Sequence, residues 1–255
     1  MPPSYATRVS GVLPCGRGRR RGCEDRGVTE PTRAPSSPSG VPAGSAPGGR
    51  VVGVLLAAGA GTRAGRPKAL VRDPDGTPWL ERGCAALLDG GCDVVVVVLG
   101  ARAGEARGLV PADPRLLVVV AGDWAEGLAA SLRAGLAAAA GPEVARALAD
   151  AAGGAGGGAE EARCALVSLV DLPGLPPAAV ARLLDGEGGR SASALRQAVF
   201  DGRPGHPVVI GRDHWAPLAA TLHGDSGARS WLHAHGAERV DASDLWDGAD
   251  VDRPA

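Results

Sequence analysis

The sequence contains no continuous run of about 18 apolar residues, the length that a membrane-spanning helix needs. Its N-terminus also lacks the apolar core of a secretory signal. The net charge of −1 gives the chain no general attraction to nucleic acid or to an anionic membrane surface. These absences predict a cytoplasmic protein whose partners include neither a membrane nor nucleic acid.

Cysteine is scarce, and no two cysteines form a CxxC pair. An odd number of cysteines at scattered positions indicates neither a disulfide framework nor a zinc site, and the five histidines also lack metal-ligand spacing. The cysteines are Cys15, Cys23, Cys84, Cys92 and Cys164. Reduced thiols in a cytosolic compartment are therefore expected.

The first 49 residues differ in composition from the rest of the chain. They are rich in Pro, Gly, Ser and Arg and show almost no hydrophobic periodicity, which is typical of disorder. Residues 1–50 hold eight arginines against three acidic residues, a net charge of +5, so the remainder carries −6. We predict a disordered tail over 1–49 and one acidic domain over 50–255. An acidic domain of this kind could bind a polyphosphate only by placing its few cations locally or by recruiting a metal.

Apolar runs alternate with segments of helical spacing from residue 51 onward. Buried strands are predicted over 51–57, 93–99, 116–120 and 164–170, with helices over 77–89, 125–140, 143–152 and 176–184. Further strands are predicted at 193–200, 207–210 and 238–241, with short helices near 213–222 and 228–235. This alternation predicts an α/β fold, a three-layer doubly wound and mainly parallel sheet whose ligands bind beyond the carboxyl ends of the strands.

A glycine-rich loop follows the first strand and reads LAAGAGTRAGRPKAL over residues 56–70. Such a strand-to-helix turn exposes backbone N–H groups to phosphates. Arg63 can fork onto phosphate oxygens, and Lys68 can supply a point charge on a turn stiffened by Pro67. The alternative is a plain connecting loop with a surface Arg and Lys. The expected nucleotide-binding residues are Leu56, Ala57, Ala58, Gly59, Gly61, Thr62, Arg63 and Lys68.

Two better-known phosphate loops do not match this segment. A P-loop needs GxxxxGK[ST], but Gly65 is followed by Arg66 and Pro67. The dinucleotide fingerprint needs GxGxxG, but three residues separate Gly61 from Gly65. An oxidoreductase built on that fingerprint is therefore a poor fit.

Asp171 stands directly after the predicted strand 164–170, in the segment SLVDLPGL. A carboxylate at a strand end facing a phosphate loop suits Mg²⁺, which binds through one or two carboxylates plus phosphates and water. A helix N-cap or a turn aspartate beside Pro173 is the alternative.

The loop strongly resembles the LAAGxGxRxGxPKxL pattern of the nucleotidyltransferase superfamily, with its Rossmann-like fold, and most closely that of the MobA-like NTP transferase family and its molybdenum cofactor cytidylyltransferases. The resemblance spans about residues 51–252; Ala64 departs from it, where those relatives usually carry Met. It implies that Arg63, Lys68 and Asp171 are catalytic and that Asp171 is a metal ligand.

Other segments are similar to further elements of that family. Asp250 and Asp252 match a DxDTP element that completes the metal site, although Arg253 replaces Thr; a frayed acidic terminus is the alternative. Gly127 matches a WxxGxxxSL element near the nucleotide, with a simple helix cap as the alternative.

The elements GHP and GDSGAR, over 205–207 and 224–229, resemble two from the cytidylyltransferase branch. They imply that His206 and Arg229 contact the acceptor, whereas a structural turn role is an equal possibility for a lone histidine. Asp225 is expected to cap the helix that begins near Ala228.

Together these features predict a Mg²⁺-dependent nucleotidyltransferase that moves a nucleoside monophosphate onto a phosphate-bearing acceptor. The resemblance favours CTP and a molybdopterin-type acceptor, with a molybdenum enzyme as a candidate protein partner. A transferase for a sugar phosphate or another small phosphometabolite, and a non-catalytic nucleotide-binding accessory factor, are the alternatives. Fold-level likeness alone does not decide between them.

Overall fold

The computed structural model describes residues 49–62, 65–153, 161–186 and 188–251. The predicted tail therefore lies outside the described residues except for Gly49, and the division into tail and domain stays a prediction. The strands are β1 Arg50–Ala57, β2 Val94–Leu99, β3 Leu116–Val120, β4 Ala162–Leu169, β5 Leu195–Phe200, β6 Arg203–Gly211 and β7 Glu238–Asp241.

The strands form one sheet in the order β3-β2-β1-β4-β6-β5-β7. β1 pairs in parallel with β2 and β4, and β2 pairs in parallel with β3. β6 runs antiparallel to both β4 and β5, while β7 is parallel to β5. The N-terminal end of β6 therefore lies at the same sheet edge as the carboxyl end of β4.

Helices cover both faces of this sheet. They are α1 Trp79–Asp89, α2 Ala103–Arg107, α3 Leu128–Ala139, α4 Pro142–Ala151, α5 Pro177–Leu184, α6 Trp215–Thr221 and α7 Arg229–Ala234. One apolar core packs α1 and α5 against the sheet, and a second core packs α3, α4, α6 and α7 against the opposite face. The three-layer, mainly parallel α/β fold predicted from the alternating pattern is confirmed.

The β1 sequence explains why both faces of the sheet need helices. Seven of the eight β1 residues are buried, because successive side chains of a parallel strand enter opposite cores. Val52 and Val54 belong to the α3 core, whereas Val51 and Leu55 belong to the α1 core.

Several boundaries differ from the sequence prediction. The predicted helix 125–140 is a 3-10 turn, Trp124–Glu126, followed by α3, because Gly127 adopts φ +117° between them. The predicted helix 213–222 likewise begins as a 3-10 turn, Arg212–His214, before α6. The short helix α2 was not predicted. No helix within the described ranges is both long and apolar enough to cross a membrane.

Candidate active site

The glycine-rich loop leaves the buried end of β1 and turns back on itself. The carbonyl of Ala58 accepts a hydrogen bond from the Ala101 N–H at 3.0 Å, which fixes the start of the loop to the end of β2. Gly61 has φ +63°, and a Cβ atom there would lie 1.8 Å from the Arg66 carbonyl oxygen. Only glycine therefore permits this turn. Gly59 is exposed with open space around it, so a ligand can approach its backbone.

Lys68 joins this loop to the end of β4. It begins the 3-10 turn Lys68–Leu70, which Pro67 precedes. Its Nζ lies 2.8 Å from Oδ2 of Asp171, and the two side chains are 20% and 19% exposed. Residues 103 positions apart are thus in direct contact, as the shared sheet edge predicts. Arg63 and Ala64 lie outside the described residues, so the role predicted for Arg63 stays a prediction.

Asp171 does not cap a helix, because α5 begins at Pro177 and its N-cap is Pro176. Its Oδ2 accepts from Lys68, while its Oδ1 is buried and has no hydrogen-bond partner within the described residues. A buried carboxylate oxygen without a donor is costly unless a ligand or ion satisfies it. A hard divalent cation fits this oxygen.

The segment around Val251 contacts Asp171. The backbone N–H of Val251 donates to the backbone carbonyl of Asp171 at 2.9 Å, and the neighbouring Asp250 is exposed. Asp252 lies outside the described residues. Within the described ranges, no three His, Cys, Asp or Glu side chains form a group that could hold a metal ion. The metal roles of Asp250 and Asp252 therefore stay predictions.

A cavity of about 410 Å³ opens beside this edge, on the α3 side of the sheet. Its floor is aliphatic and its rim is polar. The floor is formed by Leu56, Leu128, Leu132, Val167, Leu169, Val208 and Leu232, and the rim includes Gln197, His206, Asp225, Ser226, Arg229 and Ser230. The two residues predicted to bind the acceptor, His206 and Arg229, thus line one cavity.

His206 lies on β6 directly before Pro207, where the buried half of the strand begins. Burial lowers the pKa of His206 from its ordinary value of 6.5, and the positive charge of Arg229 lowers it further, while the Asp171 carboxylate opposes both. The imidazole is therefore neutral at pH 7, a hydrogen-bonding group rather than a cation. Because the Asp171 carboxylate acts on the His206 pKa, the cavity and the Lys68–Asp171 pair influence each other electrostatically.

Gly127 links two of the segments singled out by sequence. Its Cβ position would lie 2.5 Å from both the Gly224 carbonyl oxygen and Oδ1 of Asp225, so the chain here packs closer than any side chain allows. The Ala129 N–H also donates to the Gly224 carbonyl at 3.0 Å. The structure thus gives Gly127 a packing role, and its nucleotide contact stays a prediction.

The cap expected from Asp225 is wrong. The N-cap of α7 is Ala228, and it makes no side-chain cap hydrogen bond. Asp225 instead lies against Gly127 and on the cavity rim. Its position depends on the contact with the start of α3, which local sequence cannot indicate.

The described cysteines take no part in this site. Cys84, Cys92 and Cys164 are all free and buried. Burial raises the pKa of Cys84 and Cys164 to about 12, and it raises that of Cys92 as well. They remain protonated thiols and behave as core residues.

A glycine-rich loop and an aspartate that meet at the carboxyl edge of such a sheet form a place where phosphates can bind. A family model described as the MobA-like NTP transferase domain matches residues 53–240. The chain belongs to this family.

Individual relatives are similar over most of their length. Nicotine blue oxidoreductase from Paenarthrobacter nicotinovorans is 38% identical over 209 residues, which cover 79% of this chain and 92% of that protein. The crystal structure of Rv0371c from Mycobacterium tuberculosis H37Rv is 28% identical, with a TM-score of 0.60 over 81% of this chain and 94% of that one. A structure of Rv0371c in complex with manganese is 25% identical, with a TM-score of 0.53 over 75% of this chain and 86% of that one.

Proposed function

We propose that this protein is a Mg²⁺-dependent nucleotidyltransferase that transfers CMP from CTP to a phosphate-bearing acceptor, such as a molybdopterin-type cofactor, and releases pyrophosphate. The observation that carries the proposal is the 2.8 Å contact between Lys68 and Asp171, which joins the glycine loop to a carboxylate with a buried, unsatisfied oxygen. The family to which the chain belongs supports the reaction class.

The reaction needs no covalent enzyme intermediate. An oxygen of the acceptor phosphate bonds to the α-phosphorus of the NTP. The bond from that phosphorus to the oxygen bridging to the β-phosphate breaks, and pyrophosphate leaves with the electron pair. The loop from Leu56 to Thr62 would bind the phosphates by its backbone, with Arg63 and Lys68 as cations. Mg²⁺ held by Asp171 with Asp250 or Asp252 would neutralise phosphate charge.

The cavity supports an acceptor that combines apolar surface, hydrogen-bonding groups and an anionic group. Its seven aliphatic residues would pack against the acceptor's apolar surface, and its polar residues would hydrogen-bond the acceptor's nitrogen and oxygen atoms. Arg229 would bind the anion, and His206 would donate or accept a single hydrogen bond. The choice of CTP rests on Ala58, where the guanylyl branch of the family more often carries Gly.

The proposal also includes a cellular setting. A molybdenum enzyme would be the protein that receives the product, and the reaction would take place in the cytoplasm. The three free, buried cysteines support a reducing compartment.

One test is pyrophosphate release with each of the four NTPs and Mg²⁺, with and without a molybdopterin-type cofactor. We expect release with CTP and the cofactor together. Release that depends only on a sugar phosphate would replace the acceptor, and binding of every NTP without release would favour a non-catalytic accessory factor.

The metal is tested separately by titration with Mn²⁺, followed by electron paramagnetic resonance in the presence of CTP. Asp171→Asn should weaken Mn²⁺ binding about tenfold or more, because ligand charge sets affinity at such sites. Asp150→Asn, an exposed change on α4, is the matched control and should bind normally. Equal affinity in the two variants would remove Asp171 from the metal site.

The relative at 38% identity favours a second candidate, an oxidoreductase that acts on a heteroaromatic compound as nicotine blue oxidoreductase does. The cavity floor would accept such a ring equally well. Oxidation or reduction of nicotine blue that depends on this protein and on an added electron acceptor or donor, with no pyrophosphate release from any NTP, would establish this candidate instead.

A further inference from the structure

Arg133 lies on α3 and contacts two segments that flank the site from different sides. Its Nη1 donates to the Leu222 carbonyl at 2.9 Å. Its Nη2 donates to Asp123 at 3.0 Å and to Glu126 at 3.3 Å. One planar guanidinium thus binds a backbone carbonyl and two carboxylates, a geometry that lysine cannot fully reproduce.

The Leu222 side of this contact leads directly into the cavity wall. The segment 222–230, which begins at this carbonyl, supplies Asp225 through Ser230 to the rim. It is otherwise joined to α3 by the hydrogen bond from Ala129 to Gly224 and by the close packing of Gly127. Arg133 is therefore the side chain that anchors the start of the wall carrying Arg229.

The carboxylate side leads to the glycine loop. Asp123 and Glu126 flank Trp124, whose Cβ lies 2.7 Å from where a Cβ on Gly100 would be. The residue after Gly100, Ala101, donates to the Ala58 carbonyl at 3.0 Å. Arg133 thus connects the turn that supports the nucleotide loop with the wall that lines the cavity.

We propose that Arg133 is a positioning residue that sets the distance between the nucleotide loop and the acceptor-binding wall, and thereby the alignment of acceptor with donor. The inference rests on the proposed function for its catalytic consequence. The contacts of Arg133 with Leu222, Asp123 and Glu126, which we call the clamp, can be tested without turnover. The Ala58–Ala101 bond and the Gly61 turn do not involve Arg133. Loss of Arg133 should therefore disturb acceptor binding more than donor binding.

The chain provides a matched control. Arg182 has a similar exposure, 35% against 33% for Arg133, and it also contacts a carboxylate and a backbone carbonyl, those of Asp244 and Asp241. It lies on α5, on the opposite face of the sheet from the cavity. A general effect of losing a surface arginine would therefore appear equally in Arg182→Met and Arg133→Met.

The first experiment is hydrogen–deuterium exchange measured by mass spectrometry on the full chain. In Arg133→Met, amides in 222–230 should exchange about tenfold faster, since one charge-assisted hydrogen bond is lost. Arg133→Lys should restore part of the protection, and Arg182→Met should leave this segment unchanged. Unchanged exchange in Arg133→Met, or the same increase in Arg182→Met, would overturn the clamp.

The second experiment measures steady-state kinetics with CTP and a molybdopterin-type cofactor. Arg133→Met should raise KM for the cofactor about tenfold, with KM for CTP within about twofold of the wild-type value and partial rescue by Arg133→Lys. A parallel rise of both KM values would contradict a role on the acceptor side. If the wild-type protein shows no turnover, the proposed function fails, while the exchange result still decides the clamp.

Discussion

The Val251 N–H and the Asp171 carbonyl oxygen are 2.9 Å apart, so the end of the chain is held against the strand end that carries the candidate metal ligand. Asp250 and Asp252 are the sequence neighbours of Val251, so each is one residue away from the residue that makes this hydrogen bond. A second carboxylate would complete a site that Asp171 begins.

The first prediction follows from this contact. Asp250→Asn or Asp252→Asn should weaken Mn²⁺ binding about tenfold, because each substitution removes one negative charge from the ligand set. The measurement is Mn²⁺ titration with CTP present, and Asp150→Asn is the control. If both Asp250→Asn and Asp252→Asn bind Mn²⁺ normally, the chain end carries no ligand.

Lys68 should be essential for turnover even in a variant that is shown to fold. Lys68→Met should lower kcat about 100- to 1,000-fold, the range measured when one donor to a developing charge is removed. Pyrophosphate release measures the rate, and urea unfolding checks that the variant is folded. Arg72→Met removes an exposed cation whose side chain, among the described residues, hydrogen-bonds only to the Gly76 carbonyl, and it should retain activity. A Lys68→Met enzyme of near wild-type rate would exclude Lys68 from the mechanism.

His206 should make the folded protein sensitive to acid. Its pKa in the folded state lies below 6.5, because burial disfavours the charged form. The unfolded chain therefore binds a proton first as pH falls, and stability drops from about pH 6.5 down to the folded pKa. The change in Tm between pH 8 and pH 5 should be smaller in His206→Gln than in the wild type, whereas His233→Gln, an exposed change, should behave as wild type. Identical pH profiles for all three proteins would contradict this assignment.

Gly127→Ala should destabilise the fold by about 1–3 kcal/mol, since φ +117° is unfavourable for alanine. The new methyl would also meet the Gly224 carbonyl at 2.5 Å. Gly104→Ala is the control: it lies within α2 with open space at its Cβ position, so alanine there should be neutral or slightly stabilising. Urea denaturation of both variants measures the difference. A Gly127→Ala variant as stable as Gly104→Ala would show that the chain can relax at this contact.

Much of this architecture could be predicted from local sequence. Runs such as 51–57 and 164–170 are apolar at every position, which is typical of buried parallel strands, and each is followed by residues that bear chemistry. That the glycine loop and Asp171 share one sheet edge followed from topology, because both succeed parallel strands, whereas the direct contact between Lys68 and Asp171 is seen only in the folded chain.

Other features depend on contacts that no local pattern encodes. In the sequence, Arg133 is indistinguishable from any other polar residue of a helix. Its contact with Leu222, 89 positions away, exists only in the folded chain. Gln197 lies on the cavity rim because β6 inserts antiparallel between β4 and β5. The turn at Asp201–Gly202, with φ of +49° and +76°, was recognisable from its Asp-Gly pair, but the sheet order that it serves was not.

The ion pair between Lys68 and Asp171 has a practical consequence, because Lys68 is the only lysine in the chain. Within this sequence, reagents that acylate amines therefore find a single side-chain target. Fluorescent tagging, surface immobilisation or crosslinking through lysine would act at the candidate active site itself. Handles for such work belong instead on an introduced cysteine in a variant with Cys15 and Cys23 replaced, since the three described natural thiols are buried in the core.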